Sequence, residues 1–367
     1  MPSALPLSAA APLAAALRQH YAEIILPVWQ QAGWNDALGL AHESLDGVTG
    51  AALPDTRYRA MACARQLYVH AVAPGAAAAA HAATLFASLQ QRFRNPQDGG
   101  WYYSIDAAGA PLDTTQDLYT HAFVVFACAA WLARSQNPAA RELLLATAQN
   151  IEAQFRRADG HYVAALSADW RAVLRGPEQN PVMHLTEAYL AAAAVAEPAW
   201  FAQQLRRVVQ GVADLYLHAP ALCVAEAPLG TPSNRIEPGH QFEWFALLDS
   251  APDVFAGLEL EAAIARGAAW ARQHGVRADT HAVVAALDLD GAVRDPVERV
   301  WAQTEYTRYL ALIGDGHALT AQLGALRARF LHARGWHECL DAAGQVVRPD
   351  MPATTPYHFA TGYAALP

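Results

Sequence analysis

The chain has 367 residues, 54% of them hydrophobic and 16% charged, with a formal net charge of −9. This is too apolar for disorder and enough for a large core, in one large barrel or in two domains. The negative balance argues against nucleic acid or an anionic membrane surface as the main partner.

Residues 11–25 read as a helix of the fold; no basic residue precedes Arg18, which suits a signal peptide poorly. No run of about 18 uninterrupted apolar residues follows, so no membrane span is expected and a cytoplasmic protein is. A unit then recurs six times, a Gly/Asp-rich segment with short alternating stretches leading into a long helical pattern. The first runs from Gly39 to Gly47, then Asp55-Thr56-Arg57 and a helix through Leu67. The second is Gly100-Trp101-Tyr102-Tyr103-Ser104-Ile105-Asp106 with a turn at Ala108-Gly109, then a helix from Tyr119 through Trp131. The third begins at Gly160-His161-Tyr162-Val163 and reaches Asn180-Pro181-Val182-Met183-His184-Leu185-Thr186-Glu187. The fourth starts near Cys223 and reaches His240, the fifth runs from Ala285 to Glu305, and the sixth from Gly335-Trp336 to His358. The second and sixth units share Gly-Trp, an Asp and a Gly turn, and both read as β-hairpins.

The polar residues expected to open the main helices are Arg57, Tyr119, His184, His240, Glu305 and His358, spaced 62, 65, 56, 65 and 53 residues apart. Such a period holds two helices and a connection. The second helices fall in alanine- and leucine-rich stretches such as 139–154, 200–216, 258–274 and 318–332. Six helix pairs without amphipathic end-caps predict closure into a ring. The expectation is an all-α fold, an (α/α)6 barrel with short β-hairpins at the active-site end, forming one catalytic domain over 1–367. The six polar openers would meet at one end.

The clearest stretch is Pro238-Gly239-His240-Gln241-Phe242-Glu243-Trp244, where a helix start places His240 and Glu243 on one face. Trp244 and Trp301 beside the openers suit the C–H faces of a sugar ring. The four cysteines form no C-x-x-C pair, so a zinc ribbon is excluded. No H-E-x-x-H occurs, and the glutamates follow their histidines, so no metal is expected.

Gly100-Trp101-Tyr102, Met183-His184-Leu185-x-Glu187, Glu237-Pro238-Gly239-His240-x-x-Glu243-Trp244, Trp301-x-Gln303-Thr304-Glu305 and Thr355-Pro356-Tyr357-His358 resemble the N-acylglucosamine 2-epimerase superfamily. That superfamily includes cellobiose 2-epimerases, mannose isomerases and related aldose–ketose isomerases. The resemblance implies an (α/α)6 barrel without cofactor that acts on a sugar through an enediol(ate); the length leaves a monosaccharide as the expected substrate, and exposed outer helices are compatible with a monomer or homodimer. It assigns His240 and His358 as the catalytic pair, Glu243 to orient His240, and His184 to hold a hydroxyl or assist ring opening. Arg57 and Arg235 would bind oxygens of the enediolate. Tyr119, Asn180, Glu187, Gln303 and Glu305 would bind hydroxyls or orient their neighbours, with Trp244 and Trp301 as apolar walls. His358 is followed by Phe359-Ala360-Thr361 with no arginine, which resembles the isomerase branch. Mannose–fructose isomerisation is therefore expected, possibly also of lyxose and xylulose, with 2-epimerisation as the alternative. A glycoside hydrolase using Glu187, Glu243 or Glu305 is a more distant one.

Overall fold

The structure is a computed structural model and describes residues 6–367. The expected domain begins at residue 1, and residues 1–5 lie outside the described part. The main helices are α1 (Ala11–His20), α2 (Ala60–Val72), α3 (Ala76–Ser88), α4 (Leu118–Ser135), α5 (Pro138–Asn150) and α6 (Gln179–Ala193). They continue as α7 (Pro198–Tyr216), α8 (Pro238–Asp249), α9 (Glu259–Gly275), α10 (Val300–Leu312), α11 (Gly316–Phe330) and α12 (Pro356–Ala364). Even-numbered helices form an inner ring: α2 packs on α4, α4 on α6, α6 on α8, α8 on α10, α10 on α12, and α12 back on α2. Odd-numbered helices form the outer ring, with α1 against α11 and α12. This is the (α/α)6 barrel expected.

The layering follows from side-chain distribution. Inner helices have protein on every side, so they are apolar nearly all round. In α4, Leu118, Phe123, Val124, Val125 and Cys128 on different faces are all buried. By length and composition α4 is apolar enough to cross a membrane, but 72% of it is buried inside the ring. Outer helices keep one polar face; in α7 Phe201, Leu205, Val208, Val209 and Val212 point inward. Each such fully buried side chain contributes about 1.5–3 kcal/mol relative to exposure. The ring is tied at its seam by Arg18 of α1, which donates to the carbonyls of Tyr363 and Pro367 at 3.1 and 2.8 Å.

What points the inner helices toward one end is a set of short strands. Arg57–Arg59 runs straight into α2, and it pairs with Ser104–Asp106 of the next unit's hairpin, whose other arm is Pro111–Asp113. Gln116–Asp117 runs into α4 and pairs with Ala165–Leu166, which pairs with Val173–Arg175. Val293–Arg299 runs into α10 within a four-stranded sheet completed by Val284–Leu287, Cys339–Leu340 and Val346–Arg348. Met351–Pro352 pairs with Ser44–Leu45, joining the last unit to the first. The starts of α2, α4, α10 and α12 are thus pinned to neighbouring strands, and Ile236, just before α8, bridges Leu287. Asp117 adds a cap to α4, accepting from the Thr120 amide at 2.7 Å, worth about 1 kcal/mol. Pro238 and Pro356 open α8 and α12 with a preset φ. Gly239 answers a packing demand: a Cβ there would lie 2.7 Å from the Trp301 ring.

Candidate active site

At the end where the inner helices begin, a cavity of about 630 Å³ is lined by residues from all six of them. His184, His240, His358, Tyr119, Asn180, Glu243, Arg235 and Trp301, all expected from sequence, line it. So do Arg65, Glu226, Glu237 and Glu338, which sequence reasoning missed. Trp301 lies beside two of the histidines, 4.9 Å from the His240 ring and 5.5 Å from the His358 ring, tilted by 31° and 35°.

Each histidine has a carboxylate at Nδ1. His184 Nδ1 is 3.2 Å from Glu187, His358 Nδ1 is 3.1 Å from Glu305, and His240 Nδ1 is 2.8 Å from Glu226. A partner at Nδ1 orients the ring and leaves Nε2 for the cavity. The three rings nevertheless differ in charge. Burial lowers His184 to about 4, against the pull of Glu187. Burial and the Arg65 guanidinium hold His358 well below the usual imidazole range. Burial also works against charge on His240, but Glu226 and Glu237 outweigh it and raise that ring to about 9. At neutral pH the site therefore holds one imidazolium and two neutral imidazoles.

Arg65, one and a half turns into α2, lies in the cavity floor. It donates to the Tyr119 hydroxyl at 2.5 Å and the Thr354 carbonyl at 3.1 Å. Its guanidinium sits 4.2 Å over Phe123 and 4.7 Å over Tyr357. Among the described residues no carboxylate lies within 4.0 Å of it, so its charge is free to meet a ligand oxygen. Arg57, expected in this role, is exposed on the strand before α2 and stacks over Tyr103 at 5.8 Å. It precedes the helix, and side chains point into the ring only from within α2. Arg235 is at the mouth, bound to Glu237 at 2.8 Å.

Further expectations change. Glu243 does not orient His240; it lies 3.8 Å from His184 Nδ1, and neither of its oxygens has a hydrogen-bond partner. Burial, with the Glu305 and Glu187 charges, pushes its pKa well above the usual carboxylate value, which favours the protonated acid. Trp244 is no cavity wall; it is buried behind Gln179, donating to the Gln179 side-chain oxygen at 3.0 Å. Gln303 touches no ligand space, since its amide bridges Val283 N, Val283 O and Arg299 O. Glu187 and Glu305 lie beneath the cavity, Glu187 accepting from the Tyr357 hydroxyl and Glu305 3.5 Å from Arg308. Burial raises Glu305 to about 7.

Three groups bring a histidine and carboxylates within 4.8 Å: His184/Glu187/Glu243, Glu226/Glu237/His240 and Glu243/Glu305/His358. Their ring-nitrogen-to-oxygen separations of 2.8–3.2 Å are hydrogen-bond distances. Ligands at about 2.1 Å on a tetrahedral ion would stand about 3.4 Å apart. The geometry thus fits imidazole–carboxylate pairs.

Residues 39–362 match the N-acylglucosamine 2-epimerase (GlcNAc 2-epimerase) family. The D-mannose isomerase of Thermobifida fusca is 31% identical over 306 residues, 74% of this chain and 72% of that protein. A mannose-6-phosphate isomerase of Rhizobium meliloti (strain 1021) is 29% identical over 362 residues, 91% of each chain. The fold is shared with the cellobiose 2-epimerase structure from Bacillus thermoamylovorans B4167, at TM-score 0.87 and 18% identity over 96% of this chain and 98% of that one.

Proposed function

Since the chain belongs to the N-acylglucosamine 2-epimerase family, we propose that it interconverts D-mannose and D-fructose. The observation that carries the reading is a pair of carboxylate-held imidazoles in a single cavity, 4.9 and 5.5 Å from the Trp301 ring, which their surroundings push in opposite directions, His240 toward charge and His358 away from it. Neutral His358 is a base and protonated His240 an acid at the same pH. After ring opening, His358 Nε2 takes the C2 proton while His240 Nε2 gives its proton to O1. The resulting cis-enediol loses the O2 proton back to His240 as the C2 carbonyl forms, and His358 returns its proton to C1. Both rings end as they began. Arg65, with its unpaired charge, would stabilise the oxyanion as it develops. Protonated Glu243 and neutral His184 would bind sugar hydroxyls, together with Tyr119 and Asn180 of the lining. Trp301 offers the apolar face for the C–H side of the sugar. A cytoplasmic monomer or homodimer fits this reading; the four buried free cysteines suit a reducing compartment.

The cavity also speaks to phosphorylation. Its lining carries the carboxylates of Glu178, Glu226, Glu237 and Glu338, besides protonated Glu243, against Arg65, Arg235, Arg299 and the charged His240. Arg235 and Arg299 both face Glu237, at 2.8 and 3.9 Å. A phosphate dianion would meet more carboxylates than free guanidinium, so the unphosphorylated sugar is favoured. Proton NMR of D-mannose with the enzyme should show fructose forming, and mannose 6-phosphate should react at least ~100-fold less efficiently, about 3 kcal/mol of charge repulsion and desolvation. Glucose appearing before fructose would instead mean 2-epimerisation. No change in mannose would sink the isomerase assignment.

The pH profile follows from the charge states. His240 must keep its proton, so kcat/KM should fall as pH rises through about 9. His358, held well below its usual range, puts no acid limb near pH 6.5. A rate falling by half between pH 6 and 7 on the alkaline side would contradict this order.

Glu243 supplies another check. As a protonated acid it donates a hydrogen bond, which an amide can also do. Glu243→Gln should keep activity within about tenfold of wild type, while Glu243→Ala loses about 10²-fold or more, in line with a lost hydrogen bond in a dry site. Equal losses in the two variants would mean that the ionised form is needed.

A further inference from the structure

Behind His240 lies a hydrogen-bonded chain of Trp244, Gln179 and Glu226, of which only Glu226 lines the cavity; Gln179 and Trp244 have no part in the mechanism above. The Trp244 indole N–H can only donate, so the Gln179 side-chain atom 3.0 Å from it is the amide oxygen. The Gln179 nitrogen therefore faces Glu226, 3.0 Å from Oε2. The other Glu226 oxygen, Oε1, is 2.8 Å from His240 Nδ1. Gln179 Nε2 is also 2.9 Å from that Nδ1. The ionised Glu226 carboxylate can only accept, so Nδ1 donates to it, and the Gln179 nitrogen, itself a donor, makes its hydrogen bond to Glu226 Oε2 and not to Nδ1. Donor and acceptor are thereby fixed along the whole chain, from indole to imidazole, and with them the tautomer of His240.

We propose that Gln179, gripped by Trp244, is a positioning residue that holds the Glu226 carboxylate against His240, keeping the ring charged and its Nε2 aimed at the cavity. Glu226 sits in a connection before α8 rather than on an inner helix. A carboxylate there has freedom to swing to solvent unless something restrains it. Gln179, fully buried at the start of α6, supplies that restraint. The backbone couples the same elements, with the Gln179 amide donating to the Glu226 carbonyl at 3.4 Å.

The groups around His240 bear on its charge from every side. Glu226 and Glu237 face it from the preceding connection, at 2.8 and 3.8 Å, and Glu243 from one turn on. Trp301 of α10 lies along the ring, and His358 of α12 is neutral. Arg235 and Arg299 stand behind Glu237. Glu226 makes the shortest of these contacts, and it is the one that Gln179 controls.

The inference rests on the isomerase reading for its kinetic arm only. Gln179→Met keeps length and burial but removes both amide groups; Trp244→Phe removes only the indole donor. The His240 ring resonance, assigned by its loss in His240→Gln, is followed by NMR against pH in each folded variant. In Gln179→Met the midpoint should fall by at least a pH unit, and the alkaline limb of kcat should fall with it. KM for mannose should change less than twofold, because Gln179 does not line the cavity. Trp244→Phe should give a smaller shift in the same direction. An unmoved His240 titration in both variants overturns the proposal, whatever happens to the rate. If the titration moves while wild-type protein leaves mannose unchanged, the clamp stands and the isomerase reading falls.

Discussion

Replacing His358 with asparagine is expected to lower kcat on mannose by about 10²–10⁴-fold, the range for loss of a general base. The side chain lines the cavity and is held by Glu305 at 3.1 Å. Its neutral state is not an accident of one contact. Burial and the Arg65 guanidinium both disfavour a proton there, so at pH 7 the ring is ready to accept one. Asparagine is polar and of similar reach, so it can still bond Glu305 but cannot shuttle a proton. KM should therefore stay within a few-fold of wild type while kcat collapses. Exchange of the mannose C2 hydrogen with D2O should vanish along with fructose formation. The same variant separates the isomerase from a hydrolase built on Glu187, Glu243 and Glu305, because paired carboxylates would not need His358. Retention of more than a tenth of wild-type kcat would remove His358 from the reaction.

The second large effect is expected at Arg65. Arg65→Met should lower kcat/KM by about 10²–10³-fold, the scale of losing one preorganised donor to a developing oxyanion. The guanidinium is held between Phe123 and Tyr357 and fixed by Tyr119 and Thr354, so it need not reorganise as charge appears. Methionine preserves the apolar stem between the two rings, which limits the packing cost. Loss of the cation should also release His358, whose low proton affinity depends partly on Arg65; an acid limb in the pH profile should then rise toward neutrality. Arg57→Ala is the control, exposed and outside the cavity, and should stay within twofold. If the two variants swap their effects, the assignment of the oxyanion site is wrong.

That contrast shows how far sequence reading reaches. The spacing of polar openers located the cavity end of five inner helices, with Tyr119, His184, His240, Glu305 and His358 all in their first two turns. It failed at Arg57 because the count took the nearest polar residue before the apolar run. Within α2 the residue that faces the ring axis is Arg65, hidden in an alanine-rich helix. A buried arginine in an otherwise apolar helix was the available signal, since such a charge is kept only where partners or function demand it. Trp244 and Gln303 belong to fairly specific motifs, yet neither lines the cavity: Trp244 holds Gln179, and Gln303 holds the Val283 backbone. A motif marks a neighbourhood and does not say which side chains touch the ligand.

The six-fold helix pairing, the hairpins and the family were determined by the sequence alone, because apolar periodicity and glycine turns act locally and repeat. Glu187 is a local i,i+3 partner of His184, but the partners of His240 and His358 were decided only by the tertiary structure. Glu226 lies 14 residues before His240, and Glu305 lies 53 before His358; no local rule pairs them. Ring closure brings α6, α8, α10 and α12 together at one end, and only then do burial and neighbouring charge raise one imidazole and lower another. Charge state depends on distance and solvent exclusion, which exist only once the chain has folded.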